Sequence, residues 1–322
     1  MAQITALGKN PNLNVLLGNL SELVELHLDG VNISAHGAQW CQAISSSLPK
    51  LRVLSLSTCN LSGPFDSSLL KLHSLSVIRI ENNNLSTQVP EFFSNFTNLT
   101  SLRLSSSGLY GTFPEKIFQV PTLQTIDLSG NSQLQGSLPE FPKNASLQSL
   151  VLNGANFSGQ LLPNSIGNLK RLSKIDISTC NFTGPIPRSM GDLTQLLTGQ
   201  INSPHWENLT NLVNLDMRHN LLDGTIPPSL FSLPVLQKLQ LANNQFSGQL
   251  LGFATISVLD TLDLSSNHLE GPIPMSIFNL RELKILSLPS NNFSSSFPLN
   301  RLQQLKNLSA LDLSYNRLLF KK

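Results

Sequence analysis

The residues best suited to do chemistry are cations that recur at one place in a repeating frame. Arg79 and Arg103 stand 24 residues apart, with Glu81 between them. If each opens the same place in neighbouring parallel strands, the two guanidiniums lie about 5 Å apart. A guanidinium offers paired N–H donors to carboxylates and carbonyls, so this trio is a candidate grip for a carboxylate or a peptide backbone. Arg218, His219 and Lys238 form a second, weaker candidate cluster. Catalytic constellations are missing: there is no GxSxG, HExxH, phosphate loop or kinase signature, and His27, His36, His73, His205, His219 and His268 never group at metal-ligand spacing. A triad assembled from His219, Asp216 and a nearby serine would lie on a flat exposed sheet without pocket or oxyanion donors. The sequence therefore predicts a protein that binds, with no enzymatic activity, no cofactor and no metal.

A second chemistry is visible in the sequons. Asn19, Asn32, Asn60, Asn84, Asn95, Asn98, Asn144, Asn156, Asn181, Asn208, Asn292 and Asn307 each precede x-Ser or x-Thr without proline. Asn32, Asn60, Asn84, Asn156, Asn181 and Asn292 share one position of the frame, where N-[LFI]-[ST] is partly a by-product of the repeat. The repeat does not demand the other six, and that excess favours a glycosylated secretory ancestry.

The elements that must position these residues are read from Leu259 to Pro274, LDTLDLSSNHLEGPIP. Leu259, Leu262 and Leu264 supply the inward face of a strand, Asn267 turns the chain, Leu269 re-enters the core, and Gly271 and Pro274 close the unit. The frame recurs with first leucines at Leu23, Leu51, Leu75, Leu99, Leu123, Leu147, Leu172, Leu212, Leu236, Leu259, Leu283 and Leu308, mostly at steps of 24. Such self-similarity predicts an α/β repeat solenoid of the leucine-rich-repeat kind, with a parallel concave sheet and a convex side of 3-10 turns and loops. One domain over 1–322, of about 12–13 repeats, is expected. Because strands pair in parallel, position five forms a column: His27, Ser55, Arg79, Arg103, Asp127, Val151, Asp176, Asp216, Gln240, Asp263, Ser287, Asp312. Its first half is basic to neutral and its second acidic, although L-D-L-S is the commonest filling of this repeat.

Cys59 and Cys180 stand at the asparagine position, where a side chain should point inward and bond the turn backbone of the next coil; both are expected to be buried substitutes. Whether Cys41 approaches Cys59 is open. The L-x-G-x-[IFL]-P signature, as in Gly111-x-Phe113-Pro114 and Gly271-x-Ile273-Pro274, should carry a tight backbone path into a convex turn opened by proline. Phe118, Phe231 and Phe278 are expected to stack as a buried ladder there.

Composition narrows the function further. Charged residues make up 12% of the chain, about half the usual share, which suits an extracellular surface solvated by hydroxyls and glycans. A net charge of +2 gives no reason to expect nucleic acid or an anionic membrane as a partner. No run of about 18 apolar residues exists, and Met1 to Pro11 lacks the apolar core of a secretion signal. Neither end carries a capping element, so both are expected to be cut from a longer array. A degenerate repeat is expected at 193–211: Leu172 and Leu212 are 40 residues apart, and Leu196 to Ile201 fuses the start and close of a coil without the strand between. That deletion predicts a lost rung, with local bending near residues 196 to 207 or a damaged gene as its origin.

The lettering LxxLxLxxNxLxGxIP at Leu99–Pro114 and Leu259–Pro274 is that of the plant-specific class of these repeats. Together with His27 to Ser34, Trp40-Cys41, Leu51 to Leu56 and Ile117 to Pro121, it resembles the extracellular arrays of plant receptor-like proteins, the group that includes the Verticillium wilt resistance receptors. The resemblance implies the ligand-recognition region of a cell-surface immune receptor at the extracellular face of the plasma membrane. It also implies a protein or peptide ligand and defence signalling through a kinase-bearing co-receptor. Two other readings stand beside it: a soluble extracellular inhibitor of a microbial cell-wall-degrading enzyme, and a truncated gene product without independent function.

Overall fold

The structure is a computed structural model and describes residues 13–160, 163–186, 208–254 and 257–321. Packing divides the chain into two compact units, Met1–Gly136 with Gly154–Asn156, and Ser137–Asn153 with Phe157–Lys322. In the first unit, strands Glu25–His27, Val53–Ser55, Val77–Arg79, Ser101–Arg103 and Thr125–Asp127 pair in parallel, each with the next. The second unit pairs Ser149–Val151, Lys174–Asp176, Asn214–Asp216, Lys238–Gln240, Thr261–Asp263, Ile285–Ser287 and Ala310–Asp312 in the same way. Every pairing aligns equivalent frame positions, so the fifth residues form the expected column within each unit. The leucines at positions one, four and six are the reason: Leu51, Leu54 and Leu56, or Leu259, Leu262 and Leu264, are buried. A register slip of one residue would turn them to solvent. Burying a leucine is worth about 1.5–3 kcal/mol, and each coil shares that burial with its neighbours.

Asparagine at position nine stitches the coils. Asn83 Oδ1 accepts from the N–H groups of Cys59 and Leu61 at 3.0 and 2.9 Å, and Nδ2 donates to Leu56 O at 2.9 Å. Asn131, Asn220, Asn244, Asn267, Asn291 and Asn316 repeat that bond to a carbonyl of the coil before. The expected direction was the reverse: these side chains reach back to the preceding coil, not on to the next. Cys59 and Cys180 are buried free thiols in the same slot, donating to Leu28 O and Leu152 O at 3.0 and 3.3 Å. A thiol offers no carboxamide oxygen, so Ile33 N–H and Ser34 N–H donate to the Cys59 carbonyl instead. Cys41 is free as well, accepting from Asp66 N–H.

Immediately before this ladder, all twelve residues at position eight adopt positive φ, including Thr58, Asn82, Thr179, His219 and Tyr315 at 53 to 58°. The left-handed turn brings the ladder side chain inward. On the far side, Gly111 and Gly271 take φ of 73°, and a Cβ on Gly271 would lie 2.8 Å from Gln249 Cγ. Proline follows and caps the convex 3-10 turns, as Pro114 does for Glu115–Gln119 and Pro274 for Met275–Asn279. Phe118, Phe231 and Phe278 are buried, but they do not stack on one another: they meet Phe113, Phe253 and Phe297 with ring centroids 5.1, 4.7 and 5.5 Å apart. They come from coils that are not neighbours, so each finds a ring of its own or the next coil. The long connection after the first strand forms an α-helix, Gly37–Ser47, whose buried Trp40 meets Phe65 at 6.1 Å.

Most of the expected degenerate repeat, 193–207, lies outside the described residues. The strands on either side of it pair directly, Lys174 to Asn214, Ile175 to Leu215 and Asp176 to Asp216. The asparagine ladder spans it too, with Phe182 N–H donating to Asn220 Oδ1 at 3.1 Å, and Asn211 Nδ2 donates to Lys170 O at 2.7 Å. The sheet thus passes from one strand to the next with no rung between them.

Candidate ligand-binding face

In the first unit Arg79 and Arg103 are register partners in adjacent strands, with Ser55 and His27 completing the column. Side chains two apart on a strand share a face, so Asp29, Ser57 and Glu81 stand beside them. The carboxylates here are already engaged. Asp29 accepts from Ser55 Oγ at 2.8 Å and from Ser57 N–H at 2.7 Å, Glu81 accepts from Ser57 Oγ at 3.0 Å, and Glu25 meets His27 at 3.4 Å. The guanidiniums are not. Arg103 reaches Glu81 only at 4.0 Å and its Nε is buried without a hydrogen-bond partner, while Arg79 is exposed and makes no ion pair among the described residues. The guanidinium donors of this face are therefore open, beside carboxylates whose hydrogen bonds to serine leave their charge in place. Arg52, passed over when the fifth column alone was read, is exposed and lies just before the strand, where its N–H and that of Val53 both donate to Val24 O at 2.7 and 3.1 Å; this bulge-like step breaks the strict alternation and leaves Arg52 beside Val53. The signal that would have found it is its place at position two of the coil before Arg79.

The second cluster does not assemble in the same way. Arg218 makes a two-pronged contact with Asp216 of its own strand, Nη2 to Oδ2 at 2.6 Å and Nε to Oδ1 at 2.9 Å. That hydrogen bond, with the fields of Asp216, Asp263 and Asp176, holds the guanidinium above its ordinary pKa. His219 occupies the left-handed turn with φ 56° and is exposed, and Lys238 pairs in register with Asn214, four residues before Arg218 along the neighbouring strand. Four residues of strand are about 13 Å, so the three groups do not converge. The aspartates of the fifth column also have local work: Asp127, Asp176, Asp263 and Asp312 each accept from the serine hydroxyl two residues on, at 2.7 to 2.8 Å.

None of the twelve sequon asparagines is buried, and nine are exposed; Asn156, Asn208 and Asn292 are half-covered. The ladder asparagines Asn83, Asn131, Asn220, Asn244 and Asn267, by contrast, are buried and carry no sequon. Asn98 and Asn307 use their Nδ2 to bond His73 O and Arg281 O of the coil before, at 3.2 and 2.9 Å. Burial pushes the Cys41 and Cys59 thiols up to about 12 and about 11, which removes them as nucleophiles. No helix among the described residues is long and apolar enough to cross a membrane.

A family profile described as Leucine Rich Repeat matches residues 50–72, 74–96, 171–193, 211–233 and 258–280. Among curated proteins the chain is similar to Receptor-like protein 53 of Arabidopsis thaliana, 32% identical over 77% of this chain and 22% of that protein. It is also similar to Receptor like protein 24 of the same plant, 36% identical over 74% of this chain and 36% of that protein. The chain thus spans well under half the length of these relatives. Among solved structures, the plant peptide hormone receptor RGFR1 in complex with RGF2 superposes with a TM-score of 0.80 at 30% identity, covering 92% of this chain and 45% of that one. Parallel strands in register, the asparagine ladder and these likenesses lead to one conclusion: the chain is a leucine-rich-repeat solenoid, similar over about three quarters of its length to plant receptor-like proteins.

Proposed function

We propose that the chain is the ligand-recognition part of a longer plant cell-surface immune receptor, binding a protein or peptide on its concave strand face and passing the signal to a kinase-bearing partner. The observation that carries this reading is the arginine face of the first unit, where Arg79 and Arg103 stand side by side, Arg79 without an ion pair among the described residues and Arg103 meeting Glu81 only at 4.0 Å. The similar receptor RGFR1 was solved in complex with RGF2. Positions two, three, five and seven of the described coils carry no Phe, Tyr or Trp, so hydrogen bonds and ion pairs, rather than stacking on such rings, are what this face offers a ligand. The exposed sequons support an extracellular location in which glycans replace surface charge.

The test is a membrane-anchored fusion of the chain, carrying a kinase-recruiting tail, in leaf tissue exposed to fractionated microbial and plant peptides. The expected outcome is a burst of reactive oxygen that the double reversal Arg79→Glu/Arg103→Glu abolishes at unchanged surface abundance. A response indifferent to that reversal would remove the arginine face from the mechanism.

A further inference from the structure

The geometry points to the class of ligand: we propose that the arginine face of the first unit seats an acidic peptide segment whose carboxylates flank an aliphatic residue. This rests on the peptide-recognition reading above and goes further by naming what the peptide must carry. Two observations support it. The first is charge. Within this face the acids Asp29 and Glu81 are bonded to serine hydroxyls or backbone N–H groups, whereas Arg52 and Arg79 are exposed and unpaired among the described residues. An incoming carboxylate meets open guanidinium donors at Arg52 and Arg79, with Glu25 beside Val53 as the nearest competing acid, and charge-assisted hydrogen bonds to a guanidinium are the strong kind.

The second observation is what lies between the cations. Val53 and Val77 are register partners in adjacent strands, half-buried, and both at position three, a place filled by Ser101 and Thr125 in the next two coils. They form a small apolar seat with Arg52 at one end and Arg79 at the other. From Arg52 to Arg79 is one rung across and three residues along, on the order of 11 Å between Cα atoms. An extended peptide places residues i, i+2 and i+4 on one face, with i and i+4 about 13 Å apart. Acid at i, aliphatic at i+2 and acid at i+4 therefore fits the seat, with Arg103 reinforcing Arg79 from the neighbouring strand.

The test is selection of random linear heptapeptides, displayed at the amino terminus of a phage coat protein, on the full chain, with the Arg79→Glu chain as counter-selection. The expected result is enrichment of Asp or Glu at i and i+4 around Val, Ile or Leu at i+2. A synthetic acetylated, amidated consensus peptide should lose about tenfold in affinity when either acid becomes its amide and severalfold when the aliphatic residue becomes serine. Val77→Ser should erase the aliphatic preference while the acidic one remains. Acidic peptides enriched with no aliphatic preference would overturn this inference and leave peptide recognition standing, as would binding that requires a free C-terminal carboxylate. No enrichment over the Arg79→Glu chain would overturn the peptide-recognition reading as well.

Discussion

Replacing Asn83 by alanine tests the bond that holds neighbouring coils together. Asn83 is 8% exposed and its carboxamide makes five hydrogen bonds to backbone groups. Two of its three carbonyl partners have another donor, since Ser107 Oγ also bonds Ile80 O and Thr58 N–H also bonds Glu81 O. The amides of Cys59 and Leu61 have the Asn83 oxygen in the ladder, and buried donors left unsatisfied cost about 1–3 kcal/mol each. The expected loss is thus about 4 kcal/mol, and it falls on the coils of Leu51 and Leu75 because each coil packs on its neighbours alone. Asn84→Ala, one residue on and exposed, should cost less than about 0.5 kcal/mol. Asn83→Cys should fall between, because a thiol donates from this slot at Cys59 and Cys180 but cannot accept both amides. Urea unfolding gives the totals, and native-state hydrogen exchange at the Cys59 and Leu61 amides locates them. An alanine variant within about 1 kcal/mol of the parent, with those two amides still protected, would refute the role assigned to the ladder.

Other substitutions probe the backbone and the thiols. Gly37→Ala would put a Cβ 1.6 Å from the Pro64 carbonyl oxygen, so the Gly37–Ser47 helix must lose its seat on that turn; loss of Trp40 fluorescence burial measures it. Thr58 holds φ 58°, a conformation costing a non-glycine residue about 1–2 kcal/mol; set against glycine's own entropic cost, Thr58→Gly should raise stability by about 0.5 kcal/mol in thermal unfolding. Cys41 and Cys59 have folded pKa values of about 12 and about 11, above the thiol's unfolded value near 8.5, so the folded state favours the neutral form. Their contribution to stability is complete below about pH 8.5 and is lost as pH rises toward those values. A disulfide reagent at pH 8 should therefore label neither before urea unfolds the chain, and Cys41→Ala should flatten the alkaline decline.

The strand register was legible because a constant step fixes it: with Leu51, Leu75 and Leu99 each 24 residues on, Ser55, Arg79 and Arg103 can only fall side by side. The direction of the asparagine bonds was not, since the period says which coils are neighbours without saying which of two neighbouring carbonyls a side chain reaches. The rings at Phe118, Phe231 and Phe278 share a frame position, yet aromatic packing depends on the coils that are adjacent, and these are not. The 40-residue step between Leu172 and Leu212 announced a missing strand, and the direct pairing of Ile175 with Leu215 follows from the same leucine frame resuming beyond it.

The candidate site exposes the harder limit. Arg79 with Glu81, and Asp216 with Arg218, are the same pair of frame positions filled by opposite charges, two residues apart on one strand face. Spacing alone predicts two equal ion pairs. Asp216 and Arg218 form one, while Glu81 turns away to Ser57 of the coil before and leaves Arg79 unpaired. The difference lies in what the neighbouring coil offers. Ser57 presents a hydroxyl to Glu81, whereas the residue equivalent to Ser57 beside Arg218 is Ser178, whose own hydroxyl is committed to Asp176 at 2.8 Å. A serine that caps its own strand cannot draw a carboxylate from the next, and a serine without an aspartate two residues before it can. Position five of the preceding coil, Ser55 in one case and Asp176 in the other, thus decides whether the next coil's cation is spent internally or left for a ligand. Ser57→Ala should remove the hydroxyl that holds Glu81, return Glu81 to Arg79 and silence the arginine face without touching an arginine. Continued binding at full strength in that variant would show that the charge on this face is set elsewhere.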